Sequence, residues 1–107
     1  MRQAFIQSLQ DYRAPHEAEH RFKEHFLKLL QHPHCYYRDH MPGHLTASAF
    51  VVDREASMVL LVHHAKLNRW LQPGGHADGD EDLLRVALKE TFEETGIRNP
   101  KLVKPGF

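Results

Sequence analysis

The chain has 107 residues, which is enough for one modest hydrophobic core but not for two. It carries 14 basic and 14 acidic side chains, so no overall charge attracts it to nucleic acid or to an acidic membrane. Its one cysteine, Cys35, cannot form an internal disulfide, as is typical of a reducing cytoplasm. Polar residues interrupt the first ten positions, unlike a secretory signal, and no apolar run approaches membrane-spanning length. We therefore expect a cytoplasmic protein.

The first 43 residues predict a helical segment. Apolar side chains within residues 4–9 indicate a short helix that ends before Pro15. Residues 22–30 place further apolar side chains at helical spacing, so a second helix is expected after Pro15. Residues 39–43, DHMPG, are typical of a connector into the next part of the chain.

The second predicted helix contains a short pattern that allows another function. Residues 16–20, HEAEH, match H-E-x-x-H, in which two His on one helical turn bind Zn²⁺ and the Glu activates water in a protease. Chance matches are easy in a region this rich in His and Glu, and no third ligand is marked downstream. A solvated amphipathic helix with titratable histidines is the stronger interpretation.

From His44 onward the composition changes to that of strands. Residues 46–52 predict one strand and residues 58–63 another, joined by a turn at residues 53–56. We therefore divide the chain into a helical segment, residues 1–43, and a second region, residues 44–107.

Residues 75–97 read GHADGDEDLLRVALKETFEETGI and predict a glycine turn followed by a helix. Residues 73–75, PGG, indicate the turn, Asp78 or Asp80 could cap the helix, and Gly96 could end it in the left-handed conformation. Glu81 and Asp82 would lie in the first helical turn. The face expected to pack on the core contains Leu84, Leu88 and Thr91.

Glu90, Glu93 and Glu94 are predicted to share one face of this helix, because residues three and four apart are neighbours on a helical surface. Three such charges repel unless a cation neutralises them, and carboxylate oxygens are ligands that Mg²⁺ and Mn²⁺ prefer. The alternative is a solvated acidic face without a ligand.

The segment resembles the signature of the Nudix hydrolases: Gly, five residues, Glu, seven residues, Arg-Glu, an apolar residue, any residue, Glu-Glu, any residue, Gly and an apolar residue. The matching positions are Gly75, Glu81, Glu90, Glu93, Glu94, Gly96 and Ile97. Lys89 stands where the family has Arg, and Thr91 where it usually has an apolar residue. Lys89 keeps the charge and an i,i+4 relation to Glu93, but it lacks the planar fork of Arg. Residues 70–74, WLQPG, also resemble the family's lead-in.

The resemblance implies an α/β fold of the α+β kind, an α/β/α sandwich with a mixed sheet. The family's later strands and helix cannot fit into residues 98–107, so we expect either a fragment of a longer protein or completion of the sheet by another chain. An unpaired sheet edge would favour a homo-oligomer.

The resemblance also implies a hydrolase that uses water and Mg²⁺ or Mn²⁺ to split the pyrophosphate of a nucleoside diphosphate linked to another moiety. The metal ligands would be Gly75, through its carbonyl, Glu90, Glu93 and Glu94, with Glu90 alternatively the base. Glu81 would be a supporting carboxylate. The groups expected to contact the substrate are Gly74, His76 and Lys89.

The expected partner is a small nucleotide, with no membrane and no nucleic acid. A second interpretation is a Nudix-like binding or regulatory module that does not turn its ligand over. The presence of all four signature glutamates favours the enzyme, because a binding module does not need an activated water.

Overall fold

The computed structural model describes residues 1–103, which contain three helices and six short strands. The helices are α1 (Arg2–Asp11), α2 (Glu17–Leu29) and α3 (Leu83–Thr95). The strands are β1 (Thr46–Ser48), β2 (Val51–Val52), β3 (Val59–Leu60), β4 (Val62–His64), β5 (Arg69–Leu71) and β6 (Gly74–His76). The α+β class and the three helices are confirmed. No helix among the described residues has the length and apolar character needed to cross a membrane. The second predicted region extends to Phe107, and its residues 104–107 lie outside the described part.

The strands form three antiparallel pairs, β1 with β6, β2 with β3, and β4 with β5. Within residues 1–103 no two strands pair in parallel, whereas the predicted mixed sheet would contain parallel pairs. The strand predicted over residues 46–52 is divided into β1, which pairs with β6, and β2, which pairs with β3. The predicted turn at residues 53–56 is confirmed, with Ala56 in the left-handed region at φ 54°.

One hydrophobic core joins the helical segment to the strand region. Its buried residues are Leu9, Leu30, Cys35, Tyr36, Leu45, Ala77 and Val86. The Leu45 amide donates to the Cys35 carbonyl at 2.8 Å, so the backbone on either side of residues 43–44 is also connected. The division at residue 43 stays a prediction.

Helix α3 packs on β1 and β6 with a different face from the one predicted. Leu84 and Leu88 are 48% and 41% exposed, whereas Thr91 is fully buried and its hydroxyl donates to the Ala87 carbonyl at 2.8 Å. The helical period places Ala87 and Glu90 near the centre of the packed face, and Leu88 roughly 130° away from it. The prediction for Leu84 and Leu88 was wrong, and that for Thr91 is confirmed.

Gly74 and Gly75 begin β6 and do not form the predicted tight turn. A Cβ on Gly74 would lie 2.6 Å from the Ala47 carbonyl oxygen and 2.6 Å from the Ser48 Cβ, both on β1. The glycine is therefore needed for the close approach of two strands, since the neighbouring atoms belong largely to backbone that cannot move aside.

We expect the Gly74→Ala substitution to lower the free energy of unfolding by about 2 kcal/mol, because overpacking here forces β1 and β6 apart. Gly43→Ala is the matched control, since a Cβ on Gly43 would meet no atom within 4 Å. Urea unfolding of the two variants beside the parent measures the difference. Equal midpoints for all three proteins would contradict the proposed strand contact.

Candidate active site

The start of α3 is fixed by Asp82, which is the N-cap residue. Its side chain accepts a hydrogen bond from the Arg85 amide at 3.2 Å. The predicted caps, Asp78 and Asp80, are wrong because both bind arginines before the helix begins, Arg38 and Arg85 respectively. Glu81 and Asp82 likewise precede the first helical turn and do not lie in it.

The end of α3 is as predicted. Gly96 adopts the left-handed conformation with φ 79°, and its amide donates to the Phe92 carbonyl at 2.8 Å. The acidic residues therefore lie in the last two turns of a helix that is capped at both ends.

Two of the signature glutamates turn towards the first residues of β6. The Glu90 carboxylate lies against Gly75 so closely that a Cβ there would be 2.6 Å from Cδ and 2.7 Å from Oε1. Oε1 of Glu94 accepts a hydrogen bond from the Gly74 amide at 3.0 Å. The packing of α3 on β1 and β6 thus brings two carboxylates to a backbone that itself carries carbonyl oxygens.

Glu93 occupies a more open position on the same helix. Its Oε1 lies 4.0 Å from Nζ of Lys89, which confirms the expected i,i+4 relation, and both side chains are more than half exposed. Among residues 1–103, no three His, Cys, Asp or Glu side chains are already arranged as a metal-binding group. The chemistry of the donors nevertheless fits a hard divalent cation, since Glu90 and Glu94 bring carboxylate oxygens to β6.

His76, at the end of β6, contacts a residue that the sequence analysis missed. Nε2 of His44 lies 3.0 Å from Nδ1 of His76, and the ring centroids are 5.1 Å apart. The register of β1 with β6, in which Thr46 faces His76, explains the contact. Nothing in the local sequence marked His44, because its contact with His76 arises only when two strands about 30 residues apart pair.

Glu81 has a hydrogen-bond partner on the helical segment. Its Oε2 accepts from Nη2 of Arg2, on α1, at 2.9 Å. The structure therefore brings Glu81 to the helical segment, while Glu90 and Glu94 are brought to β6.

The zinc-protease alternative does not match the observed helix. His16 is the N-cap residue of α2 with extended backbone angles, so it lies outside the helix that contains His20. Nε2 of His20 is 3.9 Å from Glu24 and both side chains are more than half exposed. The solvated helix is the interpretation that these contacts support.

Comparison with known proteins identifies the family of the chain. The profile of the NUDIX domain matches residues 42–106, which is more than half of the chain. The chain belongs to the Nudix family. Among its relatives, an RNA pyrophosphohydrolase of Bartonella tribocorum is 43% identical over 49 residues, covering 43% of this chain and 28% of the relative.

Two further Nudix relatives come from vertebrates. The m7GpppN-mRNA hydrolase NUDT17 of Bos taurus is 47% identical over 34 residues, which cover 32% of this chain and 11% of the relative. The nucleoside diphosphate-linked moiety X motif 6 protein of Xenopus laevis is 35% identical over 65 residues, covering 55% of this chain and 30% of the relative. The chain thus spans about a tenth to a third of the length of these curated relatives.

Two aspartates that precede α3, Asp78 and Asp80, have pKa values below their ordinary value. The guanidinium of Arg85 lowers the pKa of Asp80 from 3.8 to about 2, and Arg38 lowers the pKa of Asp78 in the same way. Because both folded-state pKa values are lowered, the stabilisation by these pairs is present above the ordinary pKa and is lost as the pH falls through about 2 for Asp80.

We therefore expect the side-chain ¹³C carboxyl resonance of Asp80 to keep its ionised shift down to about pH 3. In Arg85→Gln the same resonance should titrate at a higher pH than in the parent, since the charged partner is gone while the hydrogen bond from the Asp82 amide remains. A resonance that titrates identically in both proteins would show that Arg85 does not hold this carboxylate.

Proposed function

We propose that this Nudix protein is a divalent-metal-dependent hydrolase that splits the pyrophosphate bond of a nucleoside diphosphate linked to another moiety. One observation carries the proposal: α3 places the carboxylates of Glu90 and Glu94 against Gly75 and Gly74. Carboxylates and backbone carbonyls supply oxygen ligands, which Mg²⁺ and Mn²⁺ prefer.

The side chains have separable roles in this proposal. Glu90, Glu93 and Glu94, with the Gly75 carbonyl, would hold the cation. When bound, the cation supplies positive charge that stabilises the charge developing on the phosphates. Alternatively, Glu90 would be the base that accepts the proton of the attacking water. Lys89 and His76 would bind the substrate phosphates, whereas the Gly74 amide, expected from the sequence to contact the substrate, donates to Glu94 instead. Glu81 would support the loop.

Neutral overall charge favours a small nucleotide over a long nucleic acid, because the chain has no excess of positive charge to neutralise an extended phosphate backbone. The acidic face of α3 also repels phosphates that arrive without cations. Two relatives are named for RNA substrates, so capped and 5′-triphosphorylated RNA belong among the compounds to compare with nucleoside diphosphate derivatives. We further propose a cytoplasmic location, consistent with the free and buried thiol of Cys35.

The alternative is a module that binds the same ligand without hydrolysing it. Both functions need the loop and the phosphate-binding groups, but only the enzyme needs carboxylates that hold a cation and receive a proton. The placement of Glu90 and Glu94 at β6 therefore favours hydrolysis.

The test is incubation of the chain with Mg²⁺ and a panel of nucleoside diphosphate sugars, dinucleoside polyphosphates and RNA 5′ ends, with products separated by anion-exchange chromatography. We expect two phosphorylated products from one member of the panel, and none with Glu94→Gln. Saturable binding of a panel member with no product formed would instead establish the binding module.

A further inference from the structure

We infer that the helical segment is a scaffold for the loop of residues 77–81, and that Arg2 is a positioning residue that acts on the active site through Glu81. The effect of Arg2 on catalysis rests on the proposed function, whereas the scaffold role does not. The loop leads directly into α3, so whatever fixes the loop also fixes where the helix begins.

Two attachments join the loop to residues 36–38. The Gly79 amide donates to the Tyr36 carbonyl at 2.9 Å, and the Arg38 guanidinium makes two hydrogen bonds with the Asp78 carboxylate at 3.0 and 2.9 Å. Gly79 also lies against the Tyr37 ring, since a Cβ there would come within 2.8 Å of it. The turn of the loop is therefore held against the segment by its backbone as well as by its charges.

Arg2 forms the third attachment, and its guanidinium makes four hydrogen bonds. Its Nη2 donates to Glu81 Oε2 at 2.9 Å, and its guanidinium carbon lies 5.0 Å from the centre of the Tyr36 ring. The guanidinium also donates to the carbonyls of Leu30, His32 and Pro33, at 3.5, 3.0 and 3.1 Å. One side chain, only 19% exposed, thus connects α1, the end of α2 and the loop.

An arginine is needed for this set of contacts. Its guanidinium presents five N–H donors in a rigid plane, so it can bond carbonyls and a carboxylate at once while stacking on a ring. A lysine would keep the charge with a single ammonium, which cannot reach the same groups together.

The effect reaches the active site through α3. Glu81 immediately precedes the N-cap residue Asp82, and the same helix carries Glu90 and Glu94 against β6. Because a helix moves as a rigid unit, releasing its start shifts the carboxylates relative to the strand. A displacement of about 1 Å at a reacting group can cost on the order of 100-fold in rate.

The experiment compares Arg2→Ala, Arg2→Lys and Glu81→Gln with the parent, using the exposed Arg21 on α2 for a control variant, Arg21→Ala. The structural readout is amide hydrogen exchange by NMR at Gly79, whose amide reports the closed loop. The catalytic readout is kcat and KM on the substrate found in the panel.

We expect exchange at Gly79 to become roughly 10-fold faster in Arg2→Ala, as local opening becomes easier, with Arg21→Ala unchanged. We expect kcat of Arg2→Ala to fall by roughly 10-fold, with its KM within two-fold of the parent's. The kcat of Arg2→Lys should lie between those of Arg2→Ala and the parent. Adding Glu81→Gln to Arg2→Lys should lower kcat little further, since both substitutions act through the same contact.

Unchanged exchange at Gly79 and unchanged kcat in Arg2→Ala would overturn the inference, as would full additivity of Arg2→Lys and Glu81→Gln. If Arg2→Ala does not fold, Arg2→Lys and Glu81→Gln decide the same questions. If the parent hydrolyses no compound, the exchange data still decide the scaffold role, so failure of the proposed function is seen separately.

Discussion

Replacing Glu90 with Gln is expected to lower kcat/KM by at least about 100-fold, because the carboxylate proposed to hold the cation, or alternatively to accept the proton, is lost. The substitution keeps the shape of the side chain, so the contact with Gly75 and the fold should persist. Steady-state kinetics on the substrate identified from the panel measure the loss, and thermal unfolding checks the fold.

Glu55→Gln is the control for this result. Glu55 is exposed in the turn between β2 and β3, and its substitution removes the same charge from the protein. It should retain the activity of the parent. Equal losses in Glu90→Gln and Glu55→Gln would mean that overall charge, and not the position of Glu90, governs the rate.

Gly75→Ala is expected to reduce activity by about 100-fold while leaving the fold intact. The three atoms nearest to its Cβ would all belong to the Glu90 carboxylate, at 2.6 to 3.0 Å, and that group is the end of a flexible side chain. Glu90 can rotate away without strain, so stability is preserved, but the carboxylate leaves its place beside β6. The comparison is with Gly74→Ala, where a Cβ would meet the backbone of β1 and stability should fall instead.

Activity and unfolding measured on the same samples separate the two glycines. Gly43→Ala should match the parent in both. Gly75→Ala combined with Glu90→Gln should be no slower than Glu90→Gln alone, because the carboxylate that the methyl group displaces is already absent. Additive losses would contradict the idea that Gly75 acts by making room for Glu90.

The helices could be predicted from the sequence because their signals are local. Apolar spacing predicted α1 and α2, and Gly96 predicted the end of α3, since a left-handed C-cap depends on one residue. The start of α3 was misplaced by a few residues because several aspartates compete as caps, and contacts with Arg38 and Arg85 decide which of them are available.

The faces of α3 were harder to predict. Hydrophobicity alone predicted Leu84 and Leu88 in the core and the glutamates on a separate acidic face. The structure instead turns Glu90 towards β6 and leaves Leu88 exposed. A helix that presents carboxylates to a glycine-containing strand departs from simple amphipathic patterning, and such departures are expected at functional sites.

Contacts between distant parts of the chain could not be predicted. Arg2 and Glu81 are 79 residues apart, and His44 meets His76 only because β1 pairs with β6. The strands themselves are two or three residues long, too short for alternation to mark their bounds. The signature identified the residues of the candidate site, whereas the residues around them depend on strand register and on packing of the helical segment.

The most direct test of the account is the Mg²⁺ dependence of turnover in the parent and in Glu94→Gln, measured side by side on one panel substrate. We predict no turnover in excess EDTA, saturable recovery of the parent with Mg²⁺, and a loss of about 100-fold or more in Glu94→Gln at saturating Mg²⁺. Turnover that persists in EDTA, or that is equal in the two proteins, would contradict a metal-dependent site on α3.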